Sequence, residues 1–323
     1  MSAVFPADYQ AAHEGAVWFC PPEPGFLRLG GEDRLDFLQR QSTNDLRRLR
    51  PDRHVVTVLT SPTARILDVL TVFDLGDALG VLTLPGHGPR TARELRGKIF
   101  FMDRVTVSDH SREWAQLDLE GPQAAAVLQR LGLTAVPTAE GVAMFVVAGC
   151  ETRVLGQRGL RGVGFRLLMP AEGREAVTTA LAAADAVPLS AEVHDVLRVE
   201  AGLPGMAELT EEYNPLEANL DAFVAENKGC YTGQEVIARQ ITYDKVTRRL
   251  VGLRPEAPVP VGAEVLAEGR TVGQVTSAAL SPRLGPLALA YIKRPFHQPD
   301  TRLLLRHDGQ ETPAVVVALP YTS

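Results

Sequence analysis

The densest run of chemically useful side chains in this 323-residue chain is Lys228-Gly229-Cys230-Tyr231-Thr232-Gly233-Gln234-Glu235. Thr232 and Glu235 have the spacing of a capping box, which predicts a helix over the amphipathic run that starts at Glu235. Cys230 then lies just ahead of a helix N-terminus and close in sequence to an ammonium group. Both supply positive potential, which lowers a thiol's pKa and enriches the nucleophilic thiolate. The same residues also read as a turn around a small buried cysteine.

Other chemistries find less support. The remaining cysteines, Cys20 and Cys150, are far from Cys230 and no Cys-x-x-Cys pair occurs, so neither a disulfide framework nor a local cluster site is encoded. The histidines show no His-x-x-x-His or His-Glu-x-x-His spacing, and Gly-x-Gly-x-x-Gly and Walker-type loops are absent, so no metal or nucleotide site is expected. A net charge of −6 opposes a broad grip on a phosphate backbone, so no direct nucleic-acid partner is expected. The N-terminal stretch lacks a signal peptide's basic and apolar regions, and no run approaches the roughly 20 apolar residues of a membrane span. A reducing, cytoplasmic location is the expectation, with no membrane partner.

The elements that would hold these side chains follow from periodicity. A short strand at Phe26 leads to a helix opened by Asp33, with Leu35, Leu38 and Leu46 on one face, running to Pro51. Residues 54–84 hold three strand-like runs split by turns at SPTAR and LGDAL, followed by a helix, PRTARELRGKIFF, and a strand, RVTVSD. The order recurs loosely from Trp114, with an alanine-rich helix over 171–184 and a further helix, AEVHDVLRVEAGLP, stopped by Gly202 and Pro204. Strands and helices in this order predict α+β layers. After Lys245, short strands separated by Gly, Pro and Asp predict a small antiparallel barrel over 246–323.

The octapeptide resembles the K-G-C-Y-x-G-Q-E signature of YgfZ-type proteins, a branch of the family of the T-protein, the aminomethyltransferase of the glycine cleavage system. The resemblance extends through GEDRLDFLQRQSTNDL, LEGPQAAAVL, LRVEAGLP and NPLEANL, with the barrel matching by pattern. It implies a T-protein-like ring of three domains: two interleaved α+β subdomains in a folate-binding region over 1–245, and a C-terminal antiparallel β-barrel. Their central channel would hold tetrahydrofolate.

The resemblance also assigns roles. Cys230 and Lys228 would be the catalytic pair, and Asn44, Asp45, Asp68, Arg198, Glu200, Tyr231 and Gln234 would meet the folate. Two positions depart from the T-protein pattern: Val69 stands where Ile-Leu-Asp-Asp-Leu has its second acid, and Arg166 stands where Gly-Phe-Glu has its glutamate. Arg239, Lys245, Arg248 and Arg249 could meet the glutamyl carboxylates of a folate, or form a solvated face. The function implied is tetrahydrofolate binding in support of iron–sulfur client enzymes or assembly factors, and through them of tRNA modification, with Cys230 as the functional thiol. The alternatives are a folate-dependent aminomethyltransferase or related one-carbon transferase, and a non-catalytic scaffold.

Overall fold

The computed structural model describes residues 6–321. Helix α1 (Ala7–Glu14) and strand β1 (Ala16–Phe19) come first. They are followed by β2 (Gly25–Gly30), α2 (Arg34–Gln41), β3 (Val55–Thr60), β4 (Ile66–Asp74), β5 (Ala78–Thr83), α3 (Gly88–Arg96) and β6 (Thr106–Asp109). Strands β2 to β6 form an antiparallel sheet in the order β3-β4-β5-β2-β6. Leu27, Leu29, Leu70 and Val81 of this sheet pack with Phe37 and Leu38 of α2 and Leu95 of α3.

A second sheet is built from β1 with β7 (Trp114–Glu120), β8 (Val142–Val147), β9 (Cys150–Gly159), β10 (Gly162–Pro170) and β11 (Ala186–Pro188), in the order β11-β1-β7-β10-β9-β8. Only the β1 and β11 pairing is parallel. Its apolar face, with Leu117, Leu119 and Leu167, is closed by Val127 and Leu128 of α4 (Ala124–Arg130) and Val177 and Leu181 of α5 (Arg174–Ala183). The two sheets join through a smaller apolar cluster of Phe26, Phe73 and Leu82 with Val142, Leu155 and Leu168. Phe26 stacks on Phe73 at 6.2 Å and meets Trp114 edge-on at 5.2 Å, so an aromatic contact adds to the burial.

Helices α6 (Ala191–Glu200) and α7 (Gln234–Thr242) precede a closed antiparallel barrel of β12 (Arg248–Pro255), β13 (Glu264–Ala267), β14 (Arg270–Ser281), β15 (Gly285–Lys293), β16 (Arg302–His307) and β17 (Gln310–Val317). Leu253, Val265, Val275, Ile292, Leu305 and Val316 fill it, and closure leaves no unpaired strand edge. The α+β class with a C-terminal barrel is therefore as expected.

The chain packs as two compact units, residues 6–190 with 223–234 and residues 191–222 with 235–321. Residues 191–222 and 235–245 thus group with the barrel rather than with the region expected over 1–245. The second helix is also shorter than its periodicity predicts. It stops at Gln41, because Ser42, Thr43 and Asn44 turn to the neighbouring strand: Thr57 Oγ1 accepts from the Asn44 amide at 2.8 Å, and Thr43 Oγ1 accepts from the Val58 amide at 3.0 Å. Only a short 3-10 turn, Leu46–Arg48, follows. Helix α1 and strands β1 and β11 were not predicted, being too short to show a period. Among the described residues no helix is long and apolar enough to cross a membrane.

His54 is 2% exposed, and its Nε2 lies 2.6 Å from the carbonyl oxygen of Gly156, so it is the neutral tautomer with the proton on Nε2 that makes this bond. Burial holds its pKa below the usual 6.5. The unfolded chain therefore takes up a proton that the folded chain refuses. Stability should be intact above pH 6.5 and should fall as the pH drops below it, with a slope of at most about 1.4 kcal/mol per pH unit from this group. Urea unfolding at stepped pH should show a shallower acid limb for His54→Asn than for the wild type.

Candidate functional site

The Lys228–Glu235 segment is positioned by its lysine. The Lys228 side chain is buried, and its ammonium donates to the carbonyl oxygens of Gln39 at 2.7 Å, Ser42 at 2.6 Å and Asn44 at 2.7 Å. Those carbonyls lie at and just beyond the C-terminal end of α2, where helix acceptors lose their intrahelical partners. All three ammonium protons are thereby committed. Desolvation pushes the pKa of Lys228 down to about 8, with Asp45 opposing and Arg47 adding to the effect.

Further bonds tie the rest of the segment to the same turn. The Thr43 hydroxyl donates to the Phe223 carbonyl at 2.6 Å, the Thr232 amide donates to the Arg40 carbonyl at 3.1 Å, and the Thr60 hydroxyl donates to the Thr232 carbonyl at 2.6 Å. Gly233 has a φ of +86° and lies so close to Ser61 and Ala64 that a Cβ would meet backbone, so glycine is required there. Tyr231 is buried beneath the ammonium, 5.1 Å from ring centroid to Nζ, and burial pushes its hydroxyl up to about 12. Gln234 is half-buried and opens α7. Cys230 is exposed at the tip and unpaired. Of the two readings of Cys230, the structure does not show the small buried residue, because the side chain is exposed. Lys228 has no N–H left to donate to a thiolate, and its three bonds position the loop.

The folate-facing residues expected near this loop have internal partners. Asn44 is buried, with its side-chain amide donating to the Val56 carbonyl at 2.7 Å, and Asp45 accepts from Gln39 Nε2 at 2.9 Å and caps the following 3-10 turn. Asp68 is fully buried. Its Oδ1 accepts from the amides of Val69 at 2.8 Å and Leu84 at 2.9 Å, and its Oδ2 from the Thr91 hydroxyl at 2.5 Å. The carboxylate anchors α3 to its sheet, and His87 Nδ1 stands 3.6 Å away.

Around Arg166, which the sequence marked only as a departure from the T-protein pattern, the structure gathers a second polar group whose other members the sequence did not identify. Cross-strand partners share a face of an antiparallel sheet, and β1, β7, β10 and β9 place Phe19, Asp118, Arg166 and Leu155 in one row. Arg166 grips Asp118 with two parallel bonds, Nε to Oδ1 at 2.7 Å and Nη2 to Oδ2 at 2.8 Å, and Gln157 Nε2 adds a third at 3.1 Å. In the next row Glu120 is buried against Gly159 and Gly164, where a Cβ would collide with its carboxylate oxygens, and it accepts from the Leu160 amide at 3.0 Å. Burial, reinforced by Asp118, pushes Glu120 up to about 8. The alternation in WAQLDLE predicts that Gln116, Asp118 and Glu120 face away from the helices, which they do. Their burial comes from residues distant in the chain, such as the Gly25 carbonyl of the other sheet that accepts from Gln116 at 3.0 Å, and leaves no mark on the sequence.

Arg198 and Glu200 lie in the other unit. Arg198 donates to Asp195 Oδ1 at 2.8 Å, to the Leu203 carbonyl at 2.9 Å and to Ser277 Oγ at 2.9 Å, tying α6 to the barrel. Glu200 is buried and accepts from Ser281 Oγ at 2.6 Å. Of the four cations proposed to form one cluster, Arg248 pairs with Glu217 and covers the Tyr213 ring, Arg249 pairs with Asp221, Lys245 covers Tyr243, and Arg239 is exposed.

Residues 4–228 match the model of the GCVT N-terminal domain, and residues 248–322 match that of the glycine cleavage T-protein C-terminal barrel domain. The chain is 34% identical over 310 residues to an aminomethyltransferase of Thermus thermophilus, covering 92% of this chain and 84% of that protein. It is 29% identical over 309 residues to a chloroplast protein of Arabidopsis thaliana that carries a transferase name, covering 92% and 69%. Among solved structures, the glycine cleavage system aminomethyltransferase T of Bartonella henselae superposes with a TM-score of 0.86 at 23% identity, covering 98% of this chain and 88% of that one.

The Lys228 contacts make a specific mechanical claim. Lys228→Met should cost about 3 kcal/mol, because three buried carbonyls lose a charged donor. Amide hydrogen exchange should then speed up together in residues 39–44 and 223–234. Faster exchange in only one of these segments would contradict the link.

Proposed function

The chain belongs to the glycine cleavage T-protein family, and from that premise we propose that it binds tetrahydrofolate and serves iron–sulfur client enzymes or assembly factors as a YgfZ-type accessory protein. The observation that carries the reading is the Lys228 clamp. Three carbonyl bonds to a buried ammonium hold a loop whose tip is an exposed thiol. A buried cation at that position has a structural purpose, which is to fix where Cys230 stands.

The residues present fit a folate. A pterin ring is flat, with a polar edge of donors and acceptors, and this face of the second sheet offers, over two neighbouring rows, a half-buried aromatic ring at Phe19, a carboxyl at Glu120, an amide at Gln157 and a guanidinium at Arg166 that is already paired with Asp118. When bound, the folate would supply one-carbon chemistry, and the chain's own part is to orient it and to offer the Cys230 thiol. Cys230 is the functional residue in this reading. Lys228 and Tyr231 position it, and Asn44, Asp45 and Asp68 hold the surrounding backbone. The work would be done in the cytoplasm, and any effect on tRNA modification would come through the iron–sulfur enzymes served.

Aminomethyl transfer is the second reading, favoured by the names of the relatives at 30–34% identity. Against it, Val69 occupies the second acid position and both oxygens of Asp68 are engaged inside the protein. Formation of methylenetetrahydrofolate from an aminomethylated lipoyl carrier protein would favour it.

Anaerobic calorimetry with tetrahydrofolate tests the folate part, and saturable binding by both the wild type and Cys230→Ala is expected. Iron–sulfur enzyme activity in cells lacking the protein should be restored by the wild type and not by Cys230→Ala. Full restoration by that variant would leave a scaffold role in place of a thiol.

A further inference from the structure

Helix α3 stops at Arg96, although the expected helix runs on to Phe101, and Phe100, Phe101 and Met102 lie in a turn with 66%, 98% and 74% of their surface exposed. Three consecutive large apolar side chains held in solvent forgo the burial that stabilises the rest of the chain. The turn is nonetheless fixed. Asp103 closes it, its Oδ2 accepting from the Phe100 amide at 3.1 Å and its own amide donating to the Phe100 carbonyl at 2.9 Å. On either side of it Ile99 and Val105 pack on the core of the first sheet.

The turn and the thiol loop are fastened to one residue. Arg40 Nη2 donates to Asp103 Oδ1 at 2.7 Å, while the Arg40 carbonyl accepts from the Thr232 amide at 3.1 Å. Both segments belong to the same compact unit. The apolar tip and the exposed Cys230 are thus held in one fixed arrangement.

The charge beside the turn narrows what covers it. Arg90, Arg93, Arg96 and Lys98 lead into it with only Glu94 opposing them, in a chain whose net charge is −6. Lys98 Nζ is shielded from water and takes no hydrogen bond among the described residues. An unpaired, shielded ammonium costs free energy that a carboxylate brought by a partner would offset. A lipid surface brings nothing for Cys230 to meet, whereas a protein does.

We propose that the Phe100–Met102 turn is the docking point for an iron–sulfur client or assembly protein, one whose surface has an apolar recess rimmed by carboxylates and which, once seated, faces Cys230. The inference rests on the accessory-protein reading above and names how the partner is held. Phe101 is the anchor that fills the recess, and Lys98 with the exposed arginines of α3 meets the acidic rim.

The test complements cells lacking the protein with the wild type, Phe101→Asp, Phe101→Leu or Lys98→Glu, and reads iron–sulfur enzyme activity. Each purified protein is also checked by a thermal melt, by anaerobic calorimetry with tetrahydrofolate, and by the rate at which iodoacetamide alkylates Cys230, followed by mass spectrometry. Loss of an aromatic anchor weakens an interface about 30-fold, so Phe101→Asp should restore no more activity than Cys230→Ala. Lys98→Glu should fail in the same way by opposing the acidic rim, and Phe101→Leu should keep most of the activity. Melting, folate binding and alkylation should match the wild type throughout.

Full restoration by Phe101→Asp overturns the docking inference and leaves the accessory reading standing. Loss of activity together with a lowered melting temperature or altered alkylation marks a purely structural turn and also overturns it. So does wild-type sedimentation with phosphatidylglycerol vesicles, or wild-type dimerisation in analytical ultracentrifugation, that Phe101→Asp abolishes, because the occupant is then lipid or a second copy. Failure of the wild type to restore activity removes the accessory reading and this inference with it.

Discussion

The placement of the thiol-bearing loop depends on one buried ammonium. Helix α2 ends in carbonyls that have no intrahelical donor, and leaving them buried and unpaired would cost free energy. Lys228 reaches back across more than 180 residues of sequence to satisfy Gln39, Ser42 and Asn44 together. The polar run Ser42–Asn44 can therefore leave the helix and bond to β3, and the 223–234 segment is carried along the same turn. The exposed position of Cys230 is a consequence of that closure, because the loop's polar groups are used inward and its tip is left outside.

The second sheet shows the complementary situation, a polar face kept away from solvent. Gln116, Asp118 and Glu120 alternate with Ala115, Leu117 and Leu119, the pattern of a strand with one wet face, yet all six are buried. Burial of carboxylates is tolerated only with partners or protons. Asp118 has Arg166 and Gln157 as partners, whereas Glu120 has a raised pKa and a two-glycine recess at Gly159 and Gly164. A chain that needed only a stable sheet could have filled this face with apolar side chains at no loss. The retained polar groups are what make the face a candidate for recognition.

Several residues that the family resemblance assigns to ligand contact also make bonds inside the protein that fix its elements. Asp68 gathers Val69, Leu84 and Thr91, Arg198 joins α6 to the barrel, and Glu200 holds Ser281. Each makes its bonds within one compact unit and reads as a device that fixes an element. Their chemistry is the same as a ligand contact would need, which is why residue type alone could not separate the two uses.

The sequence by itself determined the α+β class, the closed barrel after Lys245, the order of most strands and the loop around Cys230, because these follow from local periodicity, turn residues and a short motif. It misjudged α2, whose apolar period continues past Gln41 although the polar residues there find better partners in β3. It missed α1, β1 and β11, which are too short to carry a period. Tertiary structure alone decided that Lys228 is buried under three carbonyls, that Cys230 is exposed, and that Phe19, Asp118 and Arg166 share a row. Burial and cross-strand register are properties of residues distant in the chain, and no local pattern of side chains records which face another sheet will cover.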